Sequence, residues 1–208
     1  MMLLEEIFKE KKAQHSDAFN LRIRRSLSWL KQSTEQQQTP EFKWVSLWIA
    51  FYAIYAENSS LQQQPEQFKH FVQGVLQYDR QGKLKELLYS RLVAKVQEFF
   101  AQTWSVQNHM DDATYRNIPY ATEKQWIEQA WQQQDVPSLL YLLMRRLSAL
   151  YEQMLKGGMS YQSQIHHETI ILATQLMSFL VPAYLQILLE NATGLDDAEP
   201  YYPVRHMH

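Results

Sequence analysis

The chain has 208 residues, no cysteine, a formal net charge of -2, and 46% hydrophobic and 13% aromatic residues. That length allows one domain with a buried core, and the apolar content excludes a disordered chain. The missing cysteines exclude a disulfide framework, a thiol nucleophile and a thiolate metal site, and the near-neutral charge gives no overall field to draw in nucleic acid.

Residues 1–15 read as an N-terminal helix. Their opening "MMLLEEIFKEKK" has too short an apolar run, followed by acids, to be a signal peptide. Asp17 is placed to cap a second helix whose apolar stripe is Phe19, Ile23, Leu27 and Leu30. Thr39, Pro40 and Glu41 then open "EFKWVSLWIAFYAIYAEN", which is apolar nearly all round and predicts a core helix. Pro65 starts a helix through Tyr78, and Gly82 separates it from a run in which Leu84, Leu87, Leu88, Leu92, Val96 and Phe99 recur at helical spacing. Residues 105–120 look irregular. Thr122 is placed to cap a helix to Gln134, and "PSLLYLLMRRLSALYEQMLK" follows with Asp135 or Ser138 at its start.

The last long helix is expected to begin near Ser163 and to kink at Pro182. Its stretch from Ile170 to Leu189 has no charged residue and is about long enough to span a bilayer. It holds Gln175, Gln186 and Pro182 and has no flanking basic cluster, so a buried central helix is expected, with no membrane. Gln triplets at 36–38, 62–64 and 132–134, each followed closely by a proline (Pro40, Pro65, Pro137), read as helix junctions. The expectation is an all-α, multi-helix bundle of about seven or eight helices, a single domain over 1–208 with an extended tail at 192–208.

Chemistry-bearing motifs are scarce. His166 and His167 point about 100° apart on a helix and cannot chelate one ion together. His206 and His208 lie at the C-terminal end of the sequence. No HExxH, EF-hand, di-iron, phosphate-loop, dinucleotide or Gly-x-Ser-x-Gly motif is present, so no metal and no cofactor is expected. Two basic clusters are RNA-binding candidates: Arg22 and Arg25, on a face with Trp29, and Arg145 with Arg146. For the first, the plainer reading is a solvated or interface face with Arg25 stacked on Trp29.

Three islands carry a resemblance. "RSLSWLKQS…EFKWVSLWIAFYAIYA", "RRLSALYEQMLKGGMSYQSQIHHET" and "LVPAYLQILLEN…EPYYPV" occur in the same order as in bacterial HEPN-domain proteins of the Apea-like type, and the chain resembles that family from Arg25 to Val204. The resemblance implies an all-α domain that dimerises. It also implies, for many members, a metal-independent ribonuclease whose R-N-x-x-x-H motif lines a cleft between subunits. There Arg holds the scissile phosphate and His serves as acid and base.

Here the motif is replaced: register on Gln153 and the two following glycines puts Tyr151 at the Arg position, Glu152 at the Asn and Lys156 at the His. A Glu beside a scissile phosphate adds repulsion, and an ordinary Lys is a poor proton donor at neutral pH. Glu152 and Lys156 instead suit an i, i+4 ion pair, Lys156 suits the negative helix end, and Gly157 suits a left-handed cap. The resemblance therefore predicts a catalytically degenerate, cytoplasmic interaction or regulatory protein, homodimeric and partnered with a neighbouring gene's product in bacterial defence or a toxin–antitoxin system. The alternative is a ribonuclease or RNA-binding protein acting through Tyr151, Glu152, Lys156 and Arg145 or Arg146.

Overall fold

The computed structural model describes residues 2–35, 37–56, 64–102 and 120–191. Within them the chain is all-α, with nine helices and no strand: α1 (Met2–Lys11), α2 (Asp17–Gln32), α3 (Pro40–Tyr55), α4 (Gln64–Tyr78), α5 (Lys83–Glu86), α6 (Val93–Ala101), α7 (Tyr120–Gln132), α8 (Val136–Leu155) and α9 (His167–Asn191). One continuous cluster of buried apolar side chains draws on every helix, from Leu4 of α1 to Leu189 of α9.

The periodicities explain most of these elements. In α2 the stripe Phe19, Ile23, Leu27 and Leu30 is buried. Its cap is Ser16 and not Asp17: the Ser16 hydroxyl accepts from the Phe19 N–H at 3.1 Å, and Asp17 is the first helical residue, where its charge suits the positive helix end. Pro40 stands at the first position of α3, where its missing N–H breaks no bond. Asp135 caps α8, accepting from the Ser138 N–H at 3.1 Å. The two other corrections concern helix starts: α7 begins at Tyr120, before Thr122, and α9 begins at His167, after a series of turns from Ser160. The irregular stretch expected before Pro119, the tail at 192–208 and both terminal histidines lie outside the described residues.

The run expected as one helix after Gly82 is two, joined by a wide π-turn over Leu87–Arg91 in which the Leu92 N–H donates to the Leu87 carbonyl at 2.8 Å. Its apolar residues are nevertheless buried on both sides of the turn, Leu84 and Leu88 before it and Val96 and Phe99 after it. Tyr89, inside the turn, donates to the Ala130 carbonyl at 3.1 Å and packs on the Trp131 ring, which ties this region to α7.

The apolar α9 is the central helix: it packs on α1, α3, α4, α5 and α6, and 61% of its most apolar window is buried. It continues across Pro182 as one helix. It runs parallel to α3, since Thr174 donates to the Pro40 carbonyl at one end and the Phe51 and Tyr184 rings meet at the other. At its C-terminal end, Lys11 donates to the Glu190 carbonyl at 3.1 Å and Lys83 pairs with the Glu190 carboxylate at 2.7 Å, two cations on the negative end of the helix dipole. Burial raises the Glu190 carboxyl, but hydrogen bonds from Lys83 and Gln186 and the charges of Lys83 and Lys11 outweigh it and hold the group below its ordinary range.

α2 with α3, and α7 with α8, form antiparallel hairpins. The turn between α7 and α8 closes tightly because Gln134 adopts a left-handed conformation (φ 52°). This lets Asp135 N–H reach the Ala130 carbonyl at 2.9 Å and Gln134 N–H the Trp131 carbonyl at 3.2 Å. That pair of bonds is a Schellman closure.

Candidate functional site

The tip of α8 is where the resemblance places a catalytic motif. The helix ends in a second Schellman closure: Gly158 N–H donates to the Gln153 carbonyl at 2.8 Å and Gly157 N–H to the Met154 carbonyl at 3.2 Å, with Gly157 left-handed at φ 74°. A Cβ on Gly158 would sit 2.9 Å from the Gln153 carbonyl oxygen, so only glycine fits there without a shift. Lys156 pairs with Glu152 at 3.1 Å, side chains 63% and 32% exposed. Tyr151 stacks on Trp48 of α3, ring centroids 4.9 Å apart.

The groups around this tip are phenols. Burial raises the Tyr151 hydroxyl. Burial, then Tyr52, Glu152 and Tyr151, push the Tyr55 hydroxyl far up. Phenols held this way stay protonated and neutral near pH 7, so they supply neither the cation that clamps a phosphate nor a base to take a proton.

The four candidate arginines do not form one surface. Arg22 is buried and donates to the Ile54 carbonyl at the C-terminal end of α3. Arg25 is half-buried on the same helix, with Trp29 exposed beside it one turn on. Arg145 and Arg146 are 4% and 1% exposed. Both meet the buried Glu123 of α7, Arg145 at 3.1 Å and Arg146 at 2.9 Å. Arg146 also donates to the carbonyls of Phe99, Phe100 and Gln102, the nearest at 2.8 Å, where α6 ends. Arg22, Arg145 and Arg146 are thus turned inward in this structure, against protein partners and away from solvent. A guanidinium carries five donors in a planar fork: Arg22 and Arg146 direct theirs to carbonyls at helix ends, and Arg145 and Arg146 to the Glu123 carboxylate.

A concave surface lies elsewhere, between α4, α7 and the start of α8. It is an open groove of about 400 Å³, within the range of small-ligand sites. Its floor is Val72, Ala130 and Leu142, all buried and apolar. One wall is Lys69 and Gln73 of α4. The other is the face of α7 that carries Trp126 and Gln129, continued by Gln133 just past the helix end. Lys69 lies over the Tyr141 ring at 5.5 Å, and Asp135, the cap of α8, also lines the groove. Asp135 is near enough to Tyr89 to add to the rise of its hydroxyl that burial begins.

With this geometry in view, the chain was compared with protein-family models, curated proteins and solved structures. Nothing matches. The likeness to HEPN proteins therefore rests on the three sequence islands alone.

Sequence reasoning located the helix tip at Tyr151–Gly158 and its ion pair. It missed the groove, which gathers residues from three helices far apart in the chain, and it missed Glu123. The signal for Glu123 was present: an acid in the first turn of one arm of a hairpin faces the middle of the longer arm, where two adjacent arginines interrupt an apolar run. Among the described residues no group of three or more potential metal ligands is assembled.

Proposed function

We propose that this protein is a non-catalytic, HEPN-like interaction protein whose ribonuclease motif has been replaced. It is read as a cytoplasmic homodimer that acts as a regulatory or structural partner, with bacterial defence or a toxin–antitoxin pair as its setting. The observation that carries this reading is the tip of α8. The three motif positions there hold a stacked, neutral phenol and an i, i+4 Glu–Lys pair. Together they stabilise a helix end and bring neither a guanidinium nor an imidazole to a phosphate.

The experiment is incubation of the purified chain with transfer RNA and mixed RNA in EDTA. The RNA is expected to remain intact. Cleavage that disappears in Glu152→Ala and Lys156→Ala overturns the reading and restores the ribonuclease alternative. Saturable, salt-sensitive RNA binding without cleavage replaces the protein partner with RNA. Light scattering tests the quaternary part, where a mass that stays monomeric at every concentration contradicts the homodimer.

A further inference from the structure

The helices of this bundle are held by very different amounts of apolar burial. α8 buries eleven of its 20 residues and α9 fourteen of its 25. Among the described residues of α7 only Glu123 and Ala130 are buried, a carboxylate and a single methyl group. We propose that α7 is a detachable cover with Glu123 as its latch. It lifts about the turn at Gln134, as a minor population, while the rest of the bundle stays folded, and so opens the groove that it walls. This opening goes beyond the reading of the chain as an interaction protein and stands without it.

The attachment of α7 is polar where that of its neighbours is apolar. Ile127 and Trp131 are only half-buried, and Trp126 is exposed. The firm links are the Glu123 carboxylate, with Arg145 at 3.1 Å and Arg146 at 2.9 Å, and the Tyr89 hydroxyl, which donates to the Ala130 carbonyl at 3.1 Å. Apolar attachment weakens gradually with the area lost. A buried ion pair depends on close geometry and a dry surround, and its attraction falls steeply once water enters. Such a helix is either seated or lifted. Few buried apolar contacts mark the segments of a fold that open ahead of the whole.

The parts left behind tolerate the opening. Arg146 keeps the carbonyls of Phe99, Phe100 and Gln102 at the end of α6, so lifting α7 does not strip it of every partner. Glu123 passes into water, where a carboxylate is well solvated. The turn offers a pivot, because hinges are a few residues at element ends that absorb a change in φ and ψ. Gln134 is left-handed at φ 52°, a conformation that a residue with a Cβ leaves at a gain. As α7 lifts, Trp126, Gln129 and Ala130 move off Val72 of α4 and Leu142 of α8, and the groove widens on that side.

The test is residue-resolved amide hydrogen exchange on the full chain. A helix of 13 residues is marginal on its own in water, so α7 frays once lifted and its amides exchange. They are expected to exchange as a group, about 100-fold or more faster than the slowest amides of α8 and α9. Low urea should speed those slowest amides and leave α7 nearly unchanged, since lifting one helix exposes little surface. Glu123→Gln replaces charge-assisted bonds with neutral ones and should speed α7 about tenfold. Ile23→Val, a core change in α2, should speed the slowest amides of α9 and leave α7 as it was.

Exchange in α7 as slow as in α9 overturns the proposal. So does exchange that rises in step with α9 in urea or in Ile23→Val, because the helix then comes away only when the whole fold does. Unchanged exchange of α7 in Glu123→Gln removes the latch and overturns it as well. The urea series needs only the native chain, so it decides the matter even where a variant fails to fold.

Discussion

Two carboxylates of this protein are buried to nearly the same depth and live in opposite circumstances. Glu123, 3% exposed, meets two guanidiniums at 2.9 and 3.1 Å. Glu41, 8% exposed in the first turn of α3, has neither oxygen hydrogen-bonded. Burial of an ion is costly in both places. At Glu123 the cost is offset because α6, α7 and α8 are arranged around the charge. At Glu41, which has no hydrogen-bond partner among the described residues, the positive end of the α3 dipole favours the charge. Depth of burial therefore says little about whether a charge holds a fold together. What matters is what would be stranded by its loss.

The comparison can be broken most sharply at Glu123. Glu123→Ala leaves two buried cations facing an empty site and should destabilise the protein by about 3–5 kcal/mol, read as a drop in the urea midpoint with unchanged slope. The next effect contrasts two helix ends that close with the same pair of bonds. Gly157→Ala forces a Cβ into left-handed backbone and should cost about 1–2 kcal/mol. Gln134→Gly relieves that same strain at the end of α7 and should stabilise by less, about 0.5–1 kcal/mol, because the unfolded chain gains freedom. Thermal melts of the two variants should move in opposite directions.

Glu41→Met should also stabilise, by about 1 kcal/mol, since it removes an unpartnered polar group and keeps the volume. If it destabilises as strongly as Glu123→Ala, the contrast between the two acids fails. The smallest effect is at the tip of α8. Glu152→Ala should cost only about 0.2–0.5 kcal/mol, as expected of an exposed i, i+4 pair, and 1 M salt should erase most of the difference.

The fold was legible in the sequence wherever a local rule sufficed. The buried stripe of α2, the proline at the start of α3, the uncharged run that became the central helix and the glycine cap after Lys156 each follow from one segment read alone. The errors have physical causes. Ser16 and Asp17 are both good caps, and adjacent candidates compete within one residue. The π-turn was hidden because a helical pattern of leucines looks unbroken in one dimension while the backbone accommodates an extra residue. The burial of Arg145 and Arg146 was not legible because the groups that meet them, Glu123 and the end of α6, are distant in sequence, as Ile54 is from Arg22. The groove had no linear signature, since no single helix contains it.

The wide turn at Leu87–Arg91 has one more consequence. Straightening it into an unbroken α-helix with every residue kept would swing each later side chain by about 100°, turning Val96 and Phe99 out of the interior, whereas deleting one residue within the turn would give an unbroken helix with its two halves still in phase. The turn thus serves as a phase corrector: the irregularity that looks like a defect keeps two halves of one long rod aimed at the same target.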